Sequence, residues 1–418
     1  MSLLTTSLRR VRSVARFLAI FCISGVLALA QNTVTGSGAT ATGNGNTASG
    51  DNSIAVGIGN TADHTDSAAL GFDNVAGGTI TVARPQYTIA GQASAIGVYN
   101  QATAKSSNAI GKSNVSTAMF SSAIGFRNNS LGWEASAFGS KNTASGNRAD
   151  AFGHENLACG GASVAFGNRN YATNSYAIAI GHNNRADGVS SSAFGNKNYA
   201  DAPYSEAFGF GNQIASDSTN SVAFGMGNSV VSGVSVVALG RNNAISGNYS
   251  MVIGSRNTVS ADKAMVVGGY ITNNVPGAFM FGPSDDAKVT ILPTGSVGIG
   301  TTNPGSNKLA VNGTVRAKQL LAESSGWSDY VFADDYKLTS LSEVEAHIKA
   351  HRALPGIPTA SEVASRGVDV ADMEAKLLAK VEELTLHMIE QEKRIENLEA
   401  ENRKLRVSST NNSGASSN

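Results

Sequence analysis

An alanine, a larger apolar residue and a glycine recur together every fourteen residues through more than 200 residues of this chain. Fifteen glycines close the phrase, from Gly57 to Gly268, and eleven of the fourteen intervals between them are fourteen residues long. The exceptions are 26, 16 and 15 residues, at Gly71 to Gly97, Gly209 to Gly225 and Gly225 to Gly240. A period this strict is architecture before it is anything else. Before Gly139, Gly153 and Gly167 the phrase reads Ala137-Phe138, Ala151-Phe152 and Ala165-Phe166, while Val252 and Val266 replace the alanine in the last two copies. Three residues after the glycine stands an asparagine in fourteen of the fifteen copies, among them Asn60, Asn142, Asn156 and Asn170; the last copy has Ile271.

Fourteen residues are too few for a helix pair, and Gly, Asn and Ser at fixed offsets break helices. They suffice for two strands of about five residues and two tight turns, one coil of a β-solenoid. The expected coil points its large apolar residue into a narrow core and uses the alanine to keep a second face flat. Glycine and asparagine take the positive-φ turns. Stacking brings the asparagines into register, where their amides form ladders along the axis. Fifteen coils about 4.8 Å apart make a rod on the order of 70 Å long. A single coil buries little, so self-association is expected to supply the second buried face.

The segments "NTASGDNSIAVGIGN" (46–60) and "SAFGNKNYA" (192–200) resemble the head repeats of YadA-like trimeric autotransporter adhesins over roughly residues 40–270. The resemblance implies a mainly β fold, a left-handed parallel β-roll (solenoid) of about fifteen coils over residues 31–275, packed as a homotrimer. It implies binding of an extracellular protein or glycan. One departure from it, extra residues at about 75–92, is expected to form a protruding loop.

Ahead of the repeats, Arg9, Arg10, Arg12 and Arg16 precede the apolar run "FLAIFCISGVLALA", which ends in Ala28-Leu29-Ala30. Residues 1–30 read as a secretory signal peptide, the apolar run being too short to span hydrocarbon. Without those residues the zero net charge becomes an excess of four acidic groups, and no basic stripe for nucleic acid is left. Cys159 is then the single cysteine, so no intrachain disulfide forms. The expected localisation is exported, extracellular or at the outer surface of a Gram-negative-type bacterium.

After the repeats, residues 276–321 read as a β-rich connector with a hairpin turn at Asn312-Gly313. Gly298-Ile299-Gly300 lacks the third glycine and the βαβ context of a dinucleotide site. Residues 322–371 are helical in tendency. Ser340 with Glu343 and Thr359 with Glu362 form capping boxes, and Gly367 stops the second helix. This neck resembles tail-fibre-type C-terminal domains of Bacteroidetes-like surface proteins, distantly those with an endosialidase-type chaperone. Self-cleavage in that wider group implies a Ser-Lys pair, for which Ser328 and Lys337 are the candidates, at a spacing that departs from the motif. Residues 372–406 carry heptads with Val381, Met388, Ile395 and Asn402 at a, and Leu377, Leu384, Leu398 and Leu405 at d. Heptad composition alone favours a dimer; the head resemblance implies a trimer and outweighs it. Residues 407–418 are polar and expected to be disordered.

No residues spell out a catalytic, cofactor or metal site. His64, His154 and His182 lack common spacing, and the calcium nonapeptide is absent. The expected function is a secreted or cell-surface homotrimeric adhesin-like fibre whose rigid repeats bind extracellular matrix, other cells or glycans. The alternative is a phage tail-fibre or tailspike-like protein with a self-processing C-terminal domain. Ice binding would need threonine ranks, whereas the position before the alanine varies through Ile54, Ser94, Asp150 and Glu206. The membrane β-barrel of YadA-like proteins is not recognisable, so the anchor is expected to be of another kind.

Overall fold

The computed structural model describes residues 31–77, 91–283, 287–321 and 328–414. The expected signal peptide and most of the insertion at 75–92 lie outside the described residues. The chain divides into two units, residues 1–314 and 315–418.

The first unit is a parallel β-solenoid. Each coil up to Met265–Gly269 has one five-residue strand and one two-residue strand, as in Ser136–Ser140 and Thr143–Ala144, and the last long strand, Phe279–Gly282, has four residues. The second strand is shorter than expected because the turn that follows takes up the rest of the period. Neighbouring coils pair in parallel: Ala137, Phe138 and Gly139 face Ala151, Phe152 and Gly153, and Thr143 faces Leu157. Among the described residues, seventeen short strands form one sheet. The long strands extend the expected fifteen at both ends, with Thr40–Asn44 before Gly57 and Phe279–Gly282 after Gly268. Thr42 had hidden the first of these, since it stands where other copies have a large apolar residue. Across the insertion the stack is unbroken, Ala69 pairing with Ala95.

The core reverses the expected roles of the two apolar positions. Ala137, Ala151 and Ala165 of the long strands, and Ala144, Ala158 and Ala172 of the short ones, are fully buried. Phe138 and Phe152 are only partly buried and Phe166 is 54% exposed. Successive residues of a strand face opposite sides, and a fourteen-residue loop of chain leaves room between its two walls for little more than facing methyl groups. The large residues are therefore turned outward. Towards the C-terminal end the core fills with Ile214, Val230, Ile245 and Val259 on the short strands and Val252 and Val266 on the long ones.

Each repeat asparagine is fully buried and bonds to its neighbour one coil away. Asn142 Nδ2 donates to Asn128 Oδ1 at 3.0 Å, to Phe138 O at 2.8 Å and to Gly153 O at 2.8 Å, while its backbone N donates to Asn128 Oδ1 at 3.0 Å. The expected ladder runs from Asn32 to Asn257, where Ile271 N donates to the last Oδ1 at 2.9 Å. It crosses the insertion with Asn100 Nδ2 at 3.0 Å from Asn74 Oδ1. Asn60, Asn156 and Asn170 repeat the geometry.

Glycine is required at the end of the phrase for two reasons. Gly139 has φ +113°, and a Cβ there would lie 2.2 Å from Gly153 O. The asparagines, contrary to expectation, do not take positive φ. That conformation falls two residues after each glycine, at Lys141, Glu155 and Arg169, and again nine residues after, at Arg148 and Tyr176. Side chains there project into solvent at a turn, where the αL cost is about 1–2 kcal/mol and residue identity is free to vary.

The connector adds Val289–Ile291 antiparallel to the last long strand and Val297–Ile299 antiparallel to that, with Leu309–Val311 parallel beside it. The hairpin turn is at Leu292–Ser296, closed by Gly295 N to Leu292 O at 2.9 Å. Asn312-Gly313 instead follows the last strand and has no partner strand to turn towards. Proline at 293 and glycine at 295 fit a tight turn as well as Asn-Gly does.

In the second unit, helices span Leu341–His351, Ala360–Arg366 and Val370–Gly414. Both capping boxes form as expected, and Gly367 caps the second helix at φ +76°. The long helix runs to Gly414, so the stretch expected to be disordered from residue 407 is helical for eight residues. Val331 of the 3-10 turn Ser328–Phe332 is buried, as are Ala379 and Glu382 of the long helix. Tyr336 Oη donates to Glu383 Oε1 at 2.6 Å, and Lys380 Nζ pairs with the same carboxylate at 2.8 Å. Burial and the Glu383 bond push the Tyr336 phenol up to about 12.

Candidate functional site

Each unit leaves an apolar surface open. On the solenoid the outward residues Ile124, Phe138, Phe152, Phe166, Ile180, Phe194, Phe208 and Phe224 lie in strict register on successive long strands. Phe138 and Phe152 stack at 4.9 Å with 3° between planes, and Phe194 and Phe208 at 4.8 Å with 4°. Phe166 and Phe224 tilt away at 6.3 Å from the preceding ring. The ring spacing is set by the distance between paired strands, so the aromatic rank follows directly from the fold. Phe224 is 58% exposed. A partly exposed apolar file of this length is the kind of surface that marks an interaction face.

The long helix carries the second such feature. All the expected apolar core positions, Leu377, Val381, Leu384, Met388, Ile395, Leu398 and Leu405, are exposed, from 48% at Ile395 to 72% at Met388. Asn402 at the last a position is also exposed, its Nδ2 turned back to Leu398 O at 3.0 Å. The seam therefore stands clear of Ala379 and Glu382, which pack within the unit.

The turn edge that follows the long strands is polar. Glu155 Oε1 accepts from Lys141 Nζ at 2.9 Å and Oε2 from Arg169 Nε at 2.8 Å, one coil to either side. Those bonds, Arg169 first and Lys141 second, lower the Glu155 carboxyl to about 2. Solvent screens exposed pairs of this kind, so they add little to stability.

The residues weighed for chemistry do not converge. Among the described residues no group of three or more His, Cys, Asp and Glu is placed to hold a metal ion. His154 Nδ1 meets Asn168 Nδ2 at 3.2 Å and His64 meets Asp63 at 2.8 Å. Ser328 opens the 3-10 turn, with its side chain outside the described residues; Lys337 is exposed. Among the described residues, no helix is long and apolar enough to cross a membrane.

Four stretches, residues 35–60, 48–74, 160–184 and 186–212, match the family model of the YadA head domain repeat. The solenoid is thus built from repeats similar to those of YadA heads. No curated protein matches the chain.

Proposed function

We propose that this chain forms a homotrimeric adhesin-like fibre, exported and displayed outside the cell, in which YadA-type head repeats present a rigid binding surface. The observation that carries the reading is the rank of outward Phe, Ile and Leu side chains in register along the long strands. Burying one such side chain is worth about 1.5–3 kcal/mol, and the rank repeats in every coil after the first, where Thr42 stands in its place. A second and third copy of the chain, bearing the same rank at the same spacing, cover it without any further fitting. The exposed heptad seam on Val370–Gly414 supports the same self-association.

The mechanism that follows is adhesion by multiplicity. Three chains present each surface feature three times, at fixed distances along a stiff stack, so weak individual contacts combine through effective concentration. The targets proposed are extracellular matrix, cell surfaces or glycans. Light scattering on the purified full chain should return three protomer masses, and a tagged chain should fractionate to the cell surface or medium and promote adherence. A monomeric cytoplasmic protein would sink the reading.

A further inference from the structure

The period breaks twice in succession, at the 16- and 15-residue intervals that follow Gly209 and Gly225, and a hollow of about 380 Å³ opens at those coils on the short-strand sheet. That volume is within the range of small-ligand sites. Tyr199, Gln213 and Ser229 are register partners on three successive short strands. Side-chain height falls along them from a phenol ring to an amide to a hydroxyl, which leaves a step walled by the Tyr199 ring. Inward Ile214 and Val230 hold the floor in place of the alanines of earlier coils.

The polar groups at this step are unspent. Asp201 Oδ1 is buried without a hydrogen-bond partner, and burial raises its carboxyl above the usual range. Arg185 Nε stays 3.7 Å from that oxygen because its guanidinium is engaged by Asp187. The Tyr199 hydroxyl, the Gln213 amide and the Ser229 hydroxyl have no hydrogen-bond partner in the described protein. Donors and acceptors of both kinds therefore surround one aromatic wall. A pyranose is the small molecule with matching surfaces: a ring face of C–H groups to lie on the phenol, and a rim of hydroxyls able both to donate and to accept. The carboxylates of Asp187 and Asp201 disfavour an anionic sugar, since the Arg185 guanidinium beside them is already paired with Asp187.

We propose that this hollow binds a neutral pyranose, stacked on Tyr199 and hydrogen-bonded by Asp201, Gln213 and Ser229. The proposal deepens the adhesive reading above and rests on it for its biological sense. The hollow lies on the opposite sheet from the apolar rank, so covering that rank leaves it accessible, and a trimer presents it three times.

The test titrates the full chain with the methyl glycosides of galactose, glucose, mannose and N-acetylglucosamine, read by saturation-transfer NMR. At least one glycoside should receive saturation, strongest on one ring face, and Tyr199→Ala should weaken it roughly ten-fold or more. Asp201→Asn and Gln213→Ala should each weaken binding several-fold, while Tyr171→Ala, two coils away, should not. Circular dichroism on every variant separates lost binding from lost folding. No saturation transfer to any of the four, or transfer unchanged in well-folded Tyr199→Ala and Gln213→Ala, overturns the proposal. Adherence measured in parallel keeps the two readings apart. A chain that adheres but binds no glycoside refutes the hollow alone; one that binds a glycoside but neither trimerises nor adheres refutes the adhesive reading alone.

Discussion

Phe138 and Phe152 lie ring on ring, 4.9 Å apart and 3° from parallel, on the outer side of the coil rather than within it. If a second and third chain cover this file, a charge in its middle is intolerable, because an unpaired buried carboxylate costs several kcal/mol. Phe152→Asp is expected to leave the coil folded, since the side chain does not contribute to its alanine core, but to shift the light-scattering mass from three protomers towards one. An unchanged trimer of unchanged thermal stability would count against the interface.

The asparagine ladder makes the opposite kind of prediction. Asn142→Ala removes the side-chain donations to Asn128 Oδ1, Phe138 O and Gly153 O, leaves Asn128 Oδ1 only the backbone N–H of residue 142, and takes away the Oδ1 that accepts from Asn156 N and Nδ2, all in a buried setting. A loss of about 2–4 kcal/mol is expected, read as a lower denaturant midpoint. The adjacent Lys141→Ala, on the solvated turn, should stay within about 0.5 kcal/mol. Equal effects at the two positions would show that the ladder is not the stabilising element.

Glu155 sets an acid-side signature. Its carboxyl, held at about 2 by Arg169 and Lys141, binds its proton far less readily folded than unfolded. The contribution of this pairing is therefore complete above the ordinary glutamate range and is lost as pH falls through that range towards 2. Carbon-13 NMR titration should find the Glu155 carboxylate still ionised at pH 3, and Arg169→Ala together with Lys141→Ala should return its midpoint close to the ordinary value.

Tyr336 tests the second unit on the alkaline side. Its phenol is pushed up to about 12, first by burial and then by its bond to Glu383, so its contribution to stability is present below the ordinary tyrosine value and lost as pH rises through 12. Phenolate absorbance should show one tyrosine titrating late, and Tyr336→Phe should remove that late step. The same substitution should lower helical stability by about 1–2 kcal/mol.

Much of this is legible in the amino-acid sequence. The fourteen-residue period gives the stack, and the constant Asn gives the ladder, because only a repeated partner one coil away can satisfy a buried amide at every copy. The capping boxes at Ser340 and Thr359 were readable for a similar reason, each being a local arrangement with its partners three residues off. The direction of Ala137 and Phe138 was not. Both positions are apolar, so hydrophobicity alone does not say which faces inward; the width of the coil decides, and that width depends on Ala144 across the core. The hairpin at Leu292–Ser296 was missed because Asn312-Gly313 has the stronger turn composition but no strand after it. The Tyr199 hollow left only an indirect trace, the two irregular intervals, since Tyr199, Gln213 and Ser229 differ in type and come together solely through register.

Because each coil hydrogen-bonds only to the coils on either side, tension applied to one end of the solenoid is borne by one ladder rung at a time. Such a stack yields by peeling: the terminal turn detaches whole, frees fourteen residues or roughly 45–50 Å of slack, and hands the load to an identical neighbour. A protein tethered under flow would lengthen in near-equal steps at near-constant force, and the turns still wound would keep their surface intact.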